Sequence, residues 1–151
     1  MHKYNKNFMY VAIEEAKKGQ RYGEVPIGAV IVDNKGNLIS KAYNCIEKKN
    51  NSILHAEKLA IEKAIMKKKK RYLEDCDIWV TLEPCMMCLG LIKLTRIRRL
   101  YYGASDKNKG LISKNINFLS ERSSLETYSG IEEEECSNLL NKFFFRLRQN
   151  S

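Results

Sequence analysis

One histidine, one glutamate and two cysteines have the spacing of a catalytic zinc site. His55 and Glu57 are separated by one alanine, and Cys85 and Cys88, which follow Pro84, are separated by two methionines. One imidazole and two thiolates can hold a tetrahedral zinc ion and leave its fourth position open for water. Glu57 is near enough to the histidine to take and return the protons of that water. The pattern therefore predicts metal-assisted hydrolysis, with His55, Cys85 and Cys88 as the ligands.

The number of candidate ligands favours a catalytic site over a structural one, because structural zinc is usually held by four protein ligands. The only other histidine is His2, at the terminus, and Cys76 is separated from Cys85 by a predicted strand. Alone, Cys85 and Cys88 could equally form a structural zinc knuckle or a redox pair, and Glu57 could be a solvated helix residue. The two halves of the pattern together favour catalysis.

Two predicted helices begin at the two halves of the pattern. Apolar residues recur at helical spacing over 55–66 and 85–94, which puts His55 and Cys85 at helix starts. Backbone N–H groups at a helix start lower the pKa of a thiol. Since each helix follows a predicted strand, we expect both helices to begin at the same edge of a sheet and to bring the three ligands together.

The order of elements predicts an α/β fold, with a central mixed sheet of about five strands. Helices alternating with β-branched runs indicate a three-layer α/β/α sandwich that forms a single domain over residues 1–151. The other predicted elements are a helix over 5–18, strands over 28–33, 38–43, 78–82, 99–103 and 126–129, a short helix near 115–120 and a C-terminal helix over 132–149.

Composition and charge indicate the cellular compartment of the protein and the chemical class of its partner. The chain has 151 residues and five cysteines, an odd number that does not suit a disulfide framework. No run approaches the roughly 18 apolar residues of a membrane span, and no apolar signal core follows the N-terminus, so we expect a cytoplasmic protein without membrane association. The net charge of +9 favours a polyanionic partner such as a nucleic acid, although biased composition alone could produce it.

The chain resembles the cytidine deaminase superfamily and, within it, the bacterial tRNA-specific adenosine deaminases. The likeness extends over about residues 8–148. It is carried by residues 24–30 (EVPIGAV), Asn44, residues 55–57 (HAE), residues 79–106 (WVTLEPCMMCLGLIKLTRIRRLYYGASD) and residues 143–146 (FFFR). The HAE and PCxxC elements specify the superfamily, whereas the EVPIGA and TLEPC elements narrow the resemblance to the tRNA enzymes.

The resemblance implies a sandwich of the cytidine deaminase type, one zinc ion per subunit, and a homodimer. It implies hydrolytic deamination of the wobble adenosine in the tRNA anticodon stem-loop, which yields inosine. It further implies that Glu57 transfers protons, that Asn44 hydrogen-bonds the base, and that the Ala56 backbone N–H contacts the reacting centre. Val25 and Pro26 would line the mouth of the pocket.

The C-terminal helix carries the candidate RNA contacts. Phe144, Phe145, Arg146 and Arg148 combine aromatic rings with cations, which suits the unpaired bases and phosphates of an anticodon loop. A helix at this position must also bury an apolar face. Phe143 and Phe144 are therefore better core candidates than Phe145.

Two segments depart from the family pattern and keep other functions open. Residues 51–54 (NSIL) replace the usual Asp-Pro-Thr stretch, and residues 120–125 (SERSSL) contain no histidine. Both would shape the RNA-facing rim. The alternatives are a small-molecule deaminase of the same fold, acting on guanine, cytosine or cytidine, and a non-catalytic zinc-binding partner subunit. The presence of Glu57 argues against the second alternative.

Overall fold

The computed structural model describes residue 5, residues 7–113 and residues 125–151, and within these ranges it contains five helices and five strands. In chain order they are α1 (Asn7–Arg21), β1 (Gly28–Asp33), β2 (Leu38–Tyr43), α2 (Ile46–Lys49), α3 (Ala56–Lys68), β3 (Cys76–Leu82), α4 (Met86–Leu94), β4 (Arg99–Ala104), β5 (Glu126–Tyr128) and α5 (Glu133–Gln149). The short helix predicted near 115–120 lies outside the described residues. No helix in the described ranges has the length and apolar character needed to cross a membrane.

The strands form one mixed sheet in the order β2-β1-β3-β4-β5. Strand β1 pairs antiparallel with both β2 and β3, whereas β3, β4 and β5 run parallel to one another. The turn of the β1–β2 hairpin is fixed by Asp33, whose Oδ1 accepts the backbone N–H groups of Lys35 and Asn37, each at 2.9 Å. The prediction of a mixed sheet of about five strands is confirmed.

Helices cover both faces of the sheet, which confirms the three-layer sandwich. Neighbouring residues of a strand point to opposite faces, so Ile31 packs under α3 and α4 while Val30 packs under α1 and α5. One apolar layer includes Ala60, Ile61, Leu89 and Ile92 from the helices, and the other includes Met9, Ile13, Cys136 and Leu140.

Helix α1 and strand β1 touch at Gly28. A Cβ atom added there would lie 1.9 Å from the carbonyl oxygen of Ala12, a distance that no side chain permits. The Gly28 backbone N–H also donates to Thr81 Oγ1 at 3.2 Å, which ties the start of β1 to β3. These contacts fix the segment before β1, which carries Val25, at the edge of the sheet where the candidate ligands lie.

Two features go beyond the prediction. The four-residue helix α2 was not predicted, because one turn is too short to show helical periodicity. Phe144, a candidate both for the core and for RNA contact, lies outside the core, with 42% of its surface exposed against 58% for Phe145. Helix α5 buries Cys136 and Leu140 in its first two turns, and residues 144–149 are all exposed.

Candidate metal centre and active site

Three donor atoms converge at one edge of the sheet. His55 Nδ1 lies 3.7 Å from Cys85 Sγ and 3.5 Å from Cys88 Sγ, and all three donor atoms lie within 4.8 Å of one another. A tetrahedral zinc ion with bonds of about 2.0 Å to nitrogen and about 2.3 Å to sulfur requires nitrogen–sulfur separations of about 3.6 Å. Both nitrogen–sulfur separations therefore fit a zinc ion.

The backbone explains why these side chains meet. His55 is the N-cap residue of α3 and Cys85 is the N-cap residue of α4; both are in the extended conformation, and neither side chain caps its own helix. Each side chain is therefore available to a metal. Cys88 lies one turn further along α4 and faces the same point. The two helices begin at the same edge of the sheet, as predicted.

The two thiols differ sharply in acidity. A hydrogen bond from the Cys88 thiol, assisted by one from His55, lowers the pKa of Cys85 to about 4. The same bond to Cys85, together with burial, raises the pKa of Cys88. The hydrogen bond with Cys85 also raises the pKa of His55. One thiolate is thus present at neutral pH, and a soft divalent cation would displace the proton of the other.

Glu57 lies beside the ligands, and little of its surface is exposed. Its side chain is buried, and it makes a hydrogen-bonding contact with the Cys88 thiol. Burial raises the pKa of the Glu57 carboxyl, because the charged form loses its hydration. A carboxyl whose pKa is raised from its usual range is better matched to proton transfer near neutral pH.

Asn44 links the start of α3 to the pocket. Its side chain is buried, and its Oδ1 accepts the backbone N–H of Ala56 at 2.8 Å. This N–H is one of the first of α3, which have no partner within the helix. The resemblance implied that it contacts the reacting centre, but here it donates to Asn44, which itself lines the pocket.

A pocket of about 470 Å³ opens over these residues. It brings together Asn44, His55, Glu57 and Cys85 from the predicted set, and Val25 lines it as expected. Its exposed lining includes Lys107, Lys109, Asn141 and Phe144. Pro26 and Ala56 are buried and are not among the lining residues, and Phe145, Arg146 and Arg148 are exposed on α5 outside the pocket.

Two buried glutamates beside the pocket were not predicted to take part in the site. Glu24 accepts the backbone N–H groups of Glu47 and Lys48, at 2.8 and 3.0 Å, and so holds α2. Glu83 accepts backbone N–H groups of the segment after β4. Glu24 directly precedes Val25, and Glu83 directly precedes Pro84 and Cys85. A charged residue within such an apolar stretch was the sequence signal that could have identified each of them.

Comparison with known proteins agrees with this geometry. Residues 2–104 match the cytidine and deoxycytidylate deaminase zinc-binding region. The chain is 43% identical over 148 residues to a tRNA-specific adenosine deaminase of Aquifex aeolicus, with 95% of each chain covered. It is 42% identical over 144 residues to one of Rickettsia bellii, with 93% of this chain and 99% of the relative covered.

A solved structure from a study of A-to-I editing by tRNA:A34 deaminases superposes with a TM-score of 0.85 and 37% identity, over 90% of this chain and all of the other. The deaminase fold and the zinc-binding region are therefore shared, and the three convergent donors occupy that region. The chain belongs to the tRNA-specific adenosine deaminase family of zinc-dependent deaminases.

Proposed function

We propose that the protein hydrolyses the wobble adenosine of tRNA to inosine. The observation that carries this proposal is the composition of one pocket, which combines the zinc donors and buried Glu57 with exposed Lys107, Lys109 and Phe144. A free base needs only the buried residues. The exposed aromatic ring and the two cations suit a base presented by an oligonucleotide.

The residues of the chain account for the proton transfers. His55, Cys85 and Cys88 would hold the zinc ion, which would supply the acidification of a water molecule. Glu57 takes one proton from the water and delivers it to N1 of the purine as the oxygen adds to C6. Glu57 then moves the second proton to the leaving amine. Ammonia departs and inosine remains, while the Asn44 side chain holds the base in register.

Contacts to RNA are proposed for the exposed end of α5 and for Lys107 and Lys109, which also line the pocket. Phe144 lines the pocket and can stack on a base beside the flipped adenosine. Phe145, Arg146 and Arg148 continue the same exposed surface. With a net charge of +9, the chain is suited to the phosphates of an anticodon stem-loop.

Assembly into a homodimer with one zinc ion per subunit is part of the proposal. Met86 is 62% exposed and Leu94 is 70% exposed on α4, which gives this helix an uncovered apolar face next to the ligands. Residues 1–151 would form one domain acting in the cytoplasm, where tRNA is processed. Light scattering at micromolar concentration tests the assembly, and a purely monomeric protein would contradict it.

The decisive experiment measures inosine in a transcribed anticodon stem-loop with adenosine at the wobble position. Free adenosine, cytidine, cytosine and guanine serve as parallel substrates, and zinc content is quantified in the same sample. Deamination of the stem-loop alone is the expected result. Turnover of a free base with an inert stem-loop would retain the deaminase chemistry and replace the substrate by a small molecule. A zinc-loaded protein that is inert on every substrate would support a non-catalytic subunit.

A further inference from the structure

A buried carboxylate that is not among the metal ligands supports one wall of the pocket. Glu83 is only 2% exposed. Its Oε1 accepts the backbone N–H of Asp106 at 3.1 Å, and its Oε2 accepts those of Ile112 and Ser113, each at 3.0 Å. Hydrogen bonds to an ionised acceptor are stronger than those between neutral groups. A single side chain therefore fixes both ends of the segment that lies between these residues.

That segment, residues 105–113, provides the exposed wall of the pocket through residues 105–109 and is termed the wall loop. It has its own internal bonds. Asp106 Oδ1 accepts the N–H groups of Asn108 and Lys109 at 3.0 Å, and the Asp106 carbonyl accepts the N–H of Gly110 at 2.8 Å. These local bonds shape the turn, whereas the three bonds to Glu83 attach the wall loop to the end of β3.

Gly110 lies against the same carboxylate. A Cβ atom added there would lie 2.3 Å from Glu83 Oε1 and 2.5 Å from the Asp106 carbonyl oxygen. Both distances are far below van der Waals contact. Any side chain at this position would therefore push the wall loop away from Glu83, so the loop and the carboxylate fit each other only with glycine here.

We propose that Glu83 is a positioning residue that holds the wall loop in its substrate-binding conformation and thereby sets affinity for the nucleotide. This inference rests on the proposed function. Three of the four acceptor positions of the carboxylate are taken by the loop, so Glu83 acts through the wall that it supports. When a loop is competent for only a fraction of the time, the apparent dissociation constant rises by the inverse of that fraction, while turnover at saturation is unchanged.

The test is Glu83→Gln, which keeps the shape of the side chain and replaces one acceptor oxygen by a donor. We expect KM for the wobble-adenosine stem-loop to rise about tenfold, with kcat within about threefold and zinc content unchanged. Amide exchange of Ile112 and Ser113 should accelerate at least about tenfold. A residue needed only for global stability would instead lower the melting temperature and the active fraction, with KM unchanged.

Two further variants complete the design. Gly110→Ala perturbs the contact between Glu83 and the wall loop from the loop side. The double variant Glu83→Gln with Gly110→Ala should raise KM no more than either single change, since both changes disrupt the same contact. Glu74→Gln, at an exposed glutamate paired with Arg96, is the matched control and should change neither KM nor amide exchange.

The measurements distinguish failure of the positioning role of Glu83 from failure of the proposed function. Unchanged KM and unchanged amide exchange in Glu83→Gln would overturn the positioning role, as would additive effects in the double variant. If wild-type protein does not deaminate the stem-loop, the proposed function fails. Amide exchange at Ile112 and Ser113 then still tests whether Glu83 holds the loop, because that measurement needs no substrate.

Discussion

Replacement of Asn44 by alanine should weaken both the fold and the reaction, through two different atoms of one side chain. Asn44 Oδ1 accepts the Ala56 N–H at 2.8 Å in a buried setting, so its loss leaves that N–H without an acceptor. A buried donor left unpaired costs about 1–3 kcal/mol. For a chain of this size, a loss of roughly 2 kcal/mol lowers the melting temperature by about 4–8 °C.

Catalysis should suffer separately, because the Asn44 side-chain NH₂ is the proposed partner of the base. We expect kcat/KM on the stem-loop to fall by at least about tenfold at a temperature where the variant is fully folded, equivalent to about 1.4 kcal/mol of transition-state stabilisation. Thermal unfolding monitored by circular dichroism gives the first effect, and inosine release gives the second.

Asn141→Ala is the matched control, since Asn141 lines the same pocket but is exposed on α5. It should leave the free energy of unfolding within about 0.5 kcal/mol of wild type. If Asn44→Ala melts within about 1 °C of wild type, the Ala56 N–H does not depend on Asn44. Loss of stability with intact kcat/KM would remove Asn44 from contact with the base.

Three other changes test the site and its surroundings. Glu57→Ala should keep zinc and lower kcat by at least about 100-fold, because the proton carrier is lost; substantial turnover would exclude Glu57 from the mechanism. Cys88→Ala should lose zinc by elemental analysis, and full occupancy would require another ligand. The Lys68 ion pair at 2.6 Å lowers the pKa of Asp75, so its stabilisation is present above the unfolded pKa of 3.8 and is lost as pH falls through the lower folded value. Asp75→Asn should therefore cost about 0.5–1 kcal/mol at pH 6 and less in acid, and a pH-independent cost would contradict the pairing.

The layered fold was predictable because its signals are local and periodic. Strands β1 and β3 are short β-branched runs, and in α3 the buried Ala56, Ala60 and Ala64 recur at the four-residue spacing of a helix face. Predicted bounds differ from the structure by a few residues at most. For α1 the prediction was 5–18, and the helix is Asn7–Arg21. Capping and fraying decide such ends, and sequence periodicity does not report them.

The metal donors were predictable for a different reason. Cys85 and Cys88 lie one helical turn apart, so local geometry alone places both thiols on one side of α4. The Asn44–Ala56 hydrogen bond joins the end of β2 to the start of α3, and its existence depends on how the connecting segment folds. Spacing cannot reveal that bond. The sequence left Phe144 open as a core residue or an RNA contact, because amphipathic spacing indicates a face of a helix, whereas burial depends on where the sheet ends beneath it.

The two buried glutamates connect the sheet to the segments that line the pocket. Glu24 precedes β1 and holds α2, and Glu83 follows β3 and holds the wall loop, so each ties a pocket-lining segment to the sheet edge where the zinc donors converge. The segments held by these carboxylates contribute Ile46 and Lys107 to the lining of the pocket. The position of the metal donors thus follows from the fold, whereas we expect recognition of the nucleotide to depend on how Glu24 and Glu83 hold the two pocket-lining segments. Substitutions at Glu24 and Glu83 should accordingly alter substrate affinity while leaving the zinc content intact.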